Sequence, residues 1–271
     1  MRRRLLAALA AATLVLGLAA CGGNDSGSSS DGALKVGVSP VPHGEILKYI
    51  QDNLAEKEGL DLEIVEFNDY VQPNVALQDK QLDANYFQHK PYLAEEVESK
   101  GYKFTALEPV HIEPLGLYSK KVKDLNSVPA GGVVAIPNDP SNSGRALNLL
   151  ATNGLITLKD GVGVNATERD IATNPKKLKF KALEAAQLPR SLDDTALSVI
   201  NGNYAIETDL NPAKDALALE SGQDNPYANL LVVRTGDEKD ERIVKLEKLL
   251  HSPEVKKFIE DKYNGSVLAA F

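Results

Sequence analysis

The chain has 271 residues, with 30 Lys or Arg against 38 Asp or Glu and a formal charge of −8. That balance argues against nucleic-acid binding, which wants a basic face, and the single cysteine excludes an internal disulfide. At 43% hydrophobic and 25% charged, the composition is that of an ordinary globular protein, long enough for one large or two medium domains.

The N-terminus carries its own signal. Arg2, Arg3 and Arg4 precede an apolar run over 5–18, too short for a bilayer span of about 20 residues. It reads as the core of a secretory signal segment covering 1–20. Leu18-Ala19-Ala20-Cys21 resembles the lipobox of bacterial lipoproteins, which implies lipid attachment at Cys21 and an extracytoplasmic, membrane-anchored protein. Residues 22–32 are nearly all Gly, Ser, Asn and Asp, so 21–33 reads as a flexible, lipid-anchored tether. Without the three arginines, 27 basic residues face 38 acidic ones and the charge becomes −11. Anchoring then rests on acyl chains rather than on attraction to anionic lipid.

After the tether, strand and helix patterns alternate. Leu34 to Val38 is β-prone, and Ile46, Leu47, Ile50 and Leu54 follow at helical spacing. Residues 60–67 alternate as a half-buried strand, 73–82 reads as helix, 83–88 as strand, and 91–100 as helix with proline in its first turn. The stretch 104–119 is extended, broken by Pro109 and Pro114. A second set opens with the apolar run 132–136, a buried strand. A loop over 137–142 and a helix over 144–153 closed by Gly154 come next. Strands are expected at 178–183, 196–200 and 229–234, and helices at 239–250 and 253–262. The alternation predicts α/β layers with largely parallel sheets in two lobes. The last two helices, lacking strands of their own, are expected to return to the first lobe.

In open α/β sheets, ligands bind beyond the carboxyl ends of strands. The loop Pro137-Asn138-Asp139-Pro140-Ser141-Asn142-Ser143-Gly144-Arg145 follows a buried strand and opens a helix, which makes an anion site. Arg145 then falls in the first helical turn, where a cation is disfavoured by about 0.3–1 kcal/mol unless a carboxylate joins it. The plainer alternative is a solvated arginine after a serine cap. Phe87 and His89 share one strand face, with Phe67 and Tyr70 nearby, a wall for an apolar or thioether side chain. Phe87 fits a core position as well. Asn201 and Asn229, at strand ends, offer carbonyl oxygens to an ammonium or amide, although asparagine is common in turns for other reasons. No nucleophile elbow, phosphate loop or His-Glu-x-x-His is present, and His43, His89, His111 and His251 lack metal-ligand spacing.

Several long segments carry a resemblance. Phe67-Asn68-Asp69-Tyr70-Val71-Gln72-Pro73-Asn74 and the stretches 84–93, 114–120, 137–147, 188–194 and 199–205 are similar to the methionine-binding lipoproteins that serve methionine ABC importers, the NlpA-type solute-binding family. The resemblance implies a two-lobed, type II-like periplasmic-binding fold that closes on its ligand in the interlobe cleft. Lobe I would comprise 34–114 plus 235–271 and lobe II 115–234, with hinge strands near 115–120 and 229–234. Arg145, assisted by Asn142, would hold the ligand carboxylate. Tyr70, Phe87, His89 and Tyr92 would line the side-chain pocket, and Asn201 and Asn229 would fix the ligand's polar backbone. The implied protein is a monomer and not an enzyme. Its partners are methionine or a close derivative, the importer's permease and the membrane, and it needs neither metal nor cofactor. Two alternatives stay open. One is a metal-binding lipoprotein gathering His43, His89 and His111 with an acid. The other is a lipid-anchored hydrolase using Asp193 or Asp194, a pair better placed to cap an element.

Overall fold

The computed structural model describes residues 32–271. The expected signal segment, Cys21 and most of the tether lie outside the described residues. Strand β1 (Leu34–Val38) buries Leu34, Val36 and Val38, and helix α1 (Glu45–Asn53) covers them with Ile46, Leu47 and Ile50. After β2 (Leu62–Glu66), Asp69 Oδ1 accepts the N–H groups of Val71 and Gln72 and starts α2 (Gln72–Gln78). This helix ends before the expected residue 82, because Lys80 takes a left-handed φ of 60°. β3 (Ala84–His89) is buried at every position, and α3 (Lys90–Lys100) follows it directly, with Pro91 in its first turn. β4 (Phe104–Ile112) and β5 (Gly116–Tyr118) then leave only Glu113, Pro114 and Leu115 between them.

The second set comprises β6 (Val133–Pro137), α4 (Pro140–Thr152), β7 (Thr157–Leu158), β8 (Ile171–Thr173), β9 (Lys179–Leu183), β10 (Leu197–Ile200), α5 (Gly202–Glu207), α6 (Pro212–Asp215) and β11 (Ala218–Leu219). β12 (Asn229–Arg234), α7 (Glu241–Leu250), α8 (Pro253–Tyr263) and the short β13 (Leu268–Ala269) complete the chain.

Two sheets result, ordered β13-β4-β12-β3-β1-β2 and β11-β5-β10-β6-β9, with β7 and β8 forming a separate hairpin. The sheets are mixed, which corrects the expectation of largely parallel ones. β1 with β2 and β3, and β6 with β9 and β10, are parallel. The strands that carry the chain between the sheets run against their neighbours: β12 against β3 and β4, and β5 against β10. β12 lies inside the first sheet, between β4 and β3.

Each sheet has its own core. Ile243, Leu246 and Leu250 of α7 and Val255 and Ile259 of α8 join β1, α1 and β3 in one cluster. Each such side chain contributes about 1.5–3 kcal/mol on burial. Leu147 and Leu150 of α4 pack with Val134, Ile136, Leu197 and Val199 in the other. Gly144 lets α4 sit close to the loop below it, since a Cβ there would stand 2.3 Å from the Val164 carbonyl oxygen. Residues at or just past the carboxyl ends of β3, β6 and β10 line one space, where α/β folds place ligands.

Candidate functional site

All eight residues singled out from the sequence, Tyr70, Phe87, His89, Tyr92, Asn142, Arg145, Asn201 and Asn229, line one cavity. Gln88, Glu113, Gly202 and Asn203 complete its wall.

Arg145 is reached through α4. Asp139 is the helix cap; its Oδ1 accepts Asn142 N–H at 2.8 Å and Asn142 Nδ2 at 3.0 Å, and Pro140 opens the first turn. The helix therefore starts four residues earlier than expected. Arg145 stands in the second turn rather than the first, and the cap is Asp139 rather than a serine. The guanidinium is 3% exposed and already engaged. Nε donates to both oxygens of Glu220 at 3.0 and 3.1 Å, and Nη2 donates to Glu220 Oε2 and, at 2.9 Å, to the Glu113 carbonyl. Tyr227 stacks on its face, 4.3 Å from the ring centroid. Nη1 has no partner among the described residues.

Asn142 is the hub of the cavity. Its Oδ1 accepts His89 Nε2 at 3.2 Å and Asn201 Nδ2 at 2.9 Å. His89 Nδ1 accepts Tyr92 N–H at the start of α3, so its proton sits on Nε2. Burial lowers His89 to about 3, with the Arg145 charge adding to the effect, so the ring is neutral. Asn201 Oδ1 is buried without a partner, a free acceptor at the cavity wall. Tyr70, Phe87 and Tyr92 form the apolar side, ring centroids about 6 Å apart. The two sheets' elements touch across the cavity: Tyr70 Oη donates to Asn203 Oδ1 at 2.6 Å, and His89 meets Asn142.

Glu113 escaped the sequence reading. It stands where the chain passes from β4 to β5, 5% exposed, and its Oε1 accepts His111 Nε2 at 2.8 Å and faces His43 Nε2 at 3.3 Å. Tyr86 Oη contacts His111 Nδ1, which leaves the Nε2 hydrogen for Glu113. His43 Nε2 also meets Asn229 Oδ1 at 3.2 Å. Burial lowers His43 to about 4 and His111 to about 3 and raises Glu113, which the nearby His43 and Arg145 oppose. Gly202 is required beside it, because a Cβ would lie 2.7 Å from Glu113 Cβ. The one visible signal was an acid inside the apolar run from Val110 to Leu117.

The alternative chemistries fare differently. His43, His111 and Glu113 bring three metal-ligating atoms within 4.8 Å of one another, while His89 belongs to the Asn142 hub. Asp193 is exposed and paired with Lys120 at 2.8 Å, and with Asp194 it ends a short helical turn over Pro189–Asp193 rather than starting an element. Neither aspartate lines the cavity.

Residues 34–271 match the pattern described as NlpA lipoprotein. The chain is 45% identical over 255 residues to a D-methionine-binding lipoprotein, MetQ, of Salmonella typhimurium, covering 93% of each chain. It is 43% identical to the methionine-binding lipoprotein MetQ of Bacillus subtilis, again over 93% of each. A nutrient binding protein of Burkholderia cenocepacia, solved bound to methionine, shares 51% identity with a TM-score of 0.85, covering 88% of this chain and all of that one.

Proposed function

Because the chain belongs to the NlpA lipoprotein family, we propose that it captures methionine, or a close derivative, outside the membrane and delivers it to an ABC importer. The observation that carries this reading is one small cavity holding an arginine edge, a buried carboxylate and an aromatic wall. Those three features suit a carboxylate, an ammonium and a thioether. The ligand carboxylate would meet Arg145 Nη1 and the Asn142 side of the cavity. The ammonium would meet Glu113 and the free Oδ1 of Asn201, with Asn229 behind them. The side chain would lie among Tyr70, Phe87, His89 and Tyr92.

No bond is made or broken in this role. The family is one of binding proteins, and the mechanism is a shift between open and closed forms. In the proposed division, 34–114 plus 235–271 form lobe I and 115–234 form lobe II, hinged near 115–120 and 229–234. A ligand held by His89 and Phe87 from one side and Arg145 and Asn201 from the other favours closure. The closed monomer would dock on the permease. Lipid at Cys21 would hold it near that permease on the extracytoplasmic face and raise its effective concentration there.

Titration calorimetry on the detergent-solubilised lipoprotein, after partial unfolding to strip bound ligand, tests the reading with L-methionine, D-methionine and a Gly-Met dipeptide. Tight binding of one of them, weakened at least about hundredfold in Arg145→Ala, is the expected outcome; no heat from any methionine species would sink the substrate assignment. Membrane retention unaltered in Cys21→Ser would contradict the anchor. The His43, His111 and Glu113 trio favours zinc as a second reading. Yet the His111 Nε2 hydrogen already points at Glu113 Oε1 and the His43 Nε2 hydrogen at Asn229 Oδ1, so a cation would have to displace both. A zinc response abolished by His111→Ala would promote that reading.

A further inference from the structure

The two charged ends of the cavity are not equivalent. Arg145 is matched by a full counter-charge, Glu220, which grips Nε and Nη2 side-on, and Tyr227 covers its face. The Glu113 side chain has only neutral hydrogen-bond donors, the His111 ring and the Asn203 backbone N–H, with His43 Nε2 3.3 Å away. Burial keeps His43, His89 and His111 neutral, so Arg145 is the single cation among the residues lining the cavity and serves both Glu220 and Glu113.

We infer that this pocket demands a free α-ammonium and tolerates a blocked carboxylate, because one guanidinium faces two carboxylates, Glu220 and Glu113, and Glu220 grips it directly. The inference rests on the methionine reading and specifies which derivatives fit. A ligand amine protonated beside Glu113 completes a buried ion pair that neutral donors alone leave unfinished. An N-acyl group removes that charge and sets a carbonyl against Glu113. At the other end, Nη1 offers two N–H groups that a carboxamide oxygen accepts as well as a carboxylate does, with less electrostatic gain because Glu220 already shares the guanidinium charge. Glu220 is thus a positioning residue: it fixes which edge of Arg145 faces the ligand and sets how strongly ligand charge is rewarded there.

The test is calorimetric titration of the stripped lipoprotein at pH 6.5 with L-methionine, L-methionine amide and N-acetyl-L-methionine. The amide is expected to bind within about tenfold of methionine and the N-acetyl form at least about hundredfold weaker, the loss typical of an unpaired buried charge. In Glu220→Gln the preference for methionine over its amide is expected to grow by about tenfold, as Arg145 turns its full charge on the ligand; a purely structural role for Glu220 would weaken both ligands equally. N-acetylmethionine binding better than the amide overturns the inference while leaving methionine binding intact. No heat from methionine itself overturns the underlying reading and the inference with it. The wild-type ranking needs no variant, so poor folding of Glu220→Gln would not spare the inference.

Discussion

Arg145 and Glu113 face the same cavity, and each is satisfied by hydrogen bonds, but the partners differ in kind. Arg145 has a carboxylate, and Glu113 has imidazole and backbone N–H groups. Equal hydrogen-bond satisfaction thus leaves unequal charge. Satisfaction governs whether a buried group is tolerated, whereas net charge governs what ligand it then selects. A histidine is suited to the second kind of support because burial holds it neutral, so it donates without cancelling the charge it cradles.

The sharpest way to break this comparison is Glu113→Gln. Shape and the acceptor for His111 persist while the charge goes, and methionine affinity is expected to fall at least about hundredfold by calorimetry. A change below tenfold would mean that Glu113 is only scaffolding. Gly202→Ala comes next. Its Cβ would press on Glu113, and an overpacked contact of about 1–3 kcal/mol should lower affinity by roughly tenfold and shift the thermal midpoint down. An unshifted midpoint would show that the wall yields.

The smallest effect is the pH dependence of stability. Folded His43 sits at about 4, and His89 and His111 at about 3, below the ordinary 6.5. The unfolded chain therefore binds more protons than the folded one below about pH 6.5. Stability should drop as pH falls through that window, by up to about 1.4 kcal/mol per pH unit for each histidine. Glu113 works with the opposite sign: burial raises it, so above about pH 4.5 the folded chain holds the extra proton and partly offsets the slope. Thermal melts at pH 7, 6 and 5 should show a falling midpoint, and His89→Gln should flatten the trend by roughly a third.

How much of this was legible in the sequence follows from where each signal resides. Arg145 and Asn142 follow closely on a strongly apolar strand, so both were visible. Tyr70, Phe87 and His89 crowd two strand ends and were visible as a group. The start of α4 was placed too late, although Asp139 before Pro140 is the pattern of a cap followed by a first-turn proline. Strand direction has no local signature. The mixed sheets depend on β4, β5 and β12 shuttling between layers, which no single segment reveals. Glu220 lies 75 residues from Arg145 on a short, irregular edge, and only folding brings the pair together. Glu113 left one trace, an acid among apolar neighbours, and its meaning came from His43 and His111 closing on it.

A crystal structure of the lipoprotein with L-methionine tests the central proposal most directly. The expected result has the ammonium within hydrogen-bond reach of Glu113 and the Asn201 oxygen. The carboxylate should lie on Arg145 Nη1 with Glu220 still gripping the opposite edge, and the thioether among Tyr70, Phe87 and Tyr92. A ligand whose ammonium lies away from Glu113, or whose carboxylate displaces Glu220 from Arg145, would contradict it.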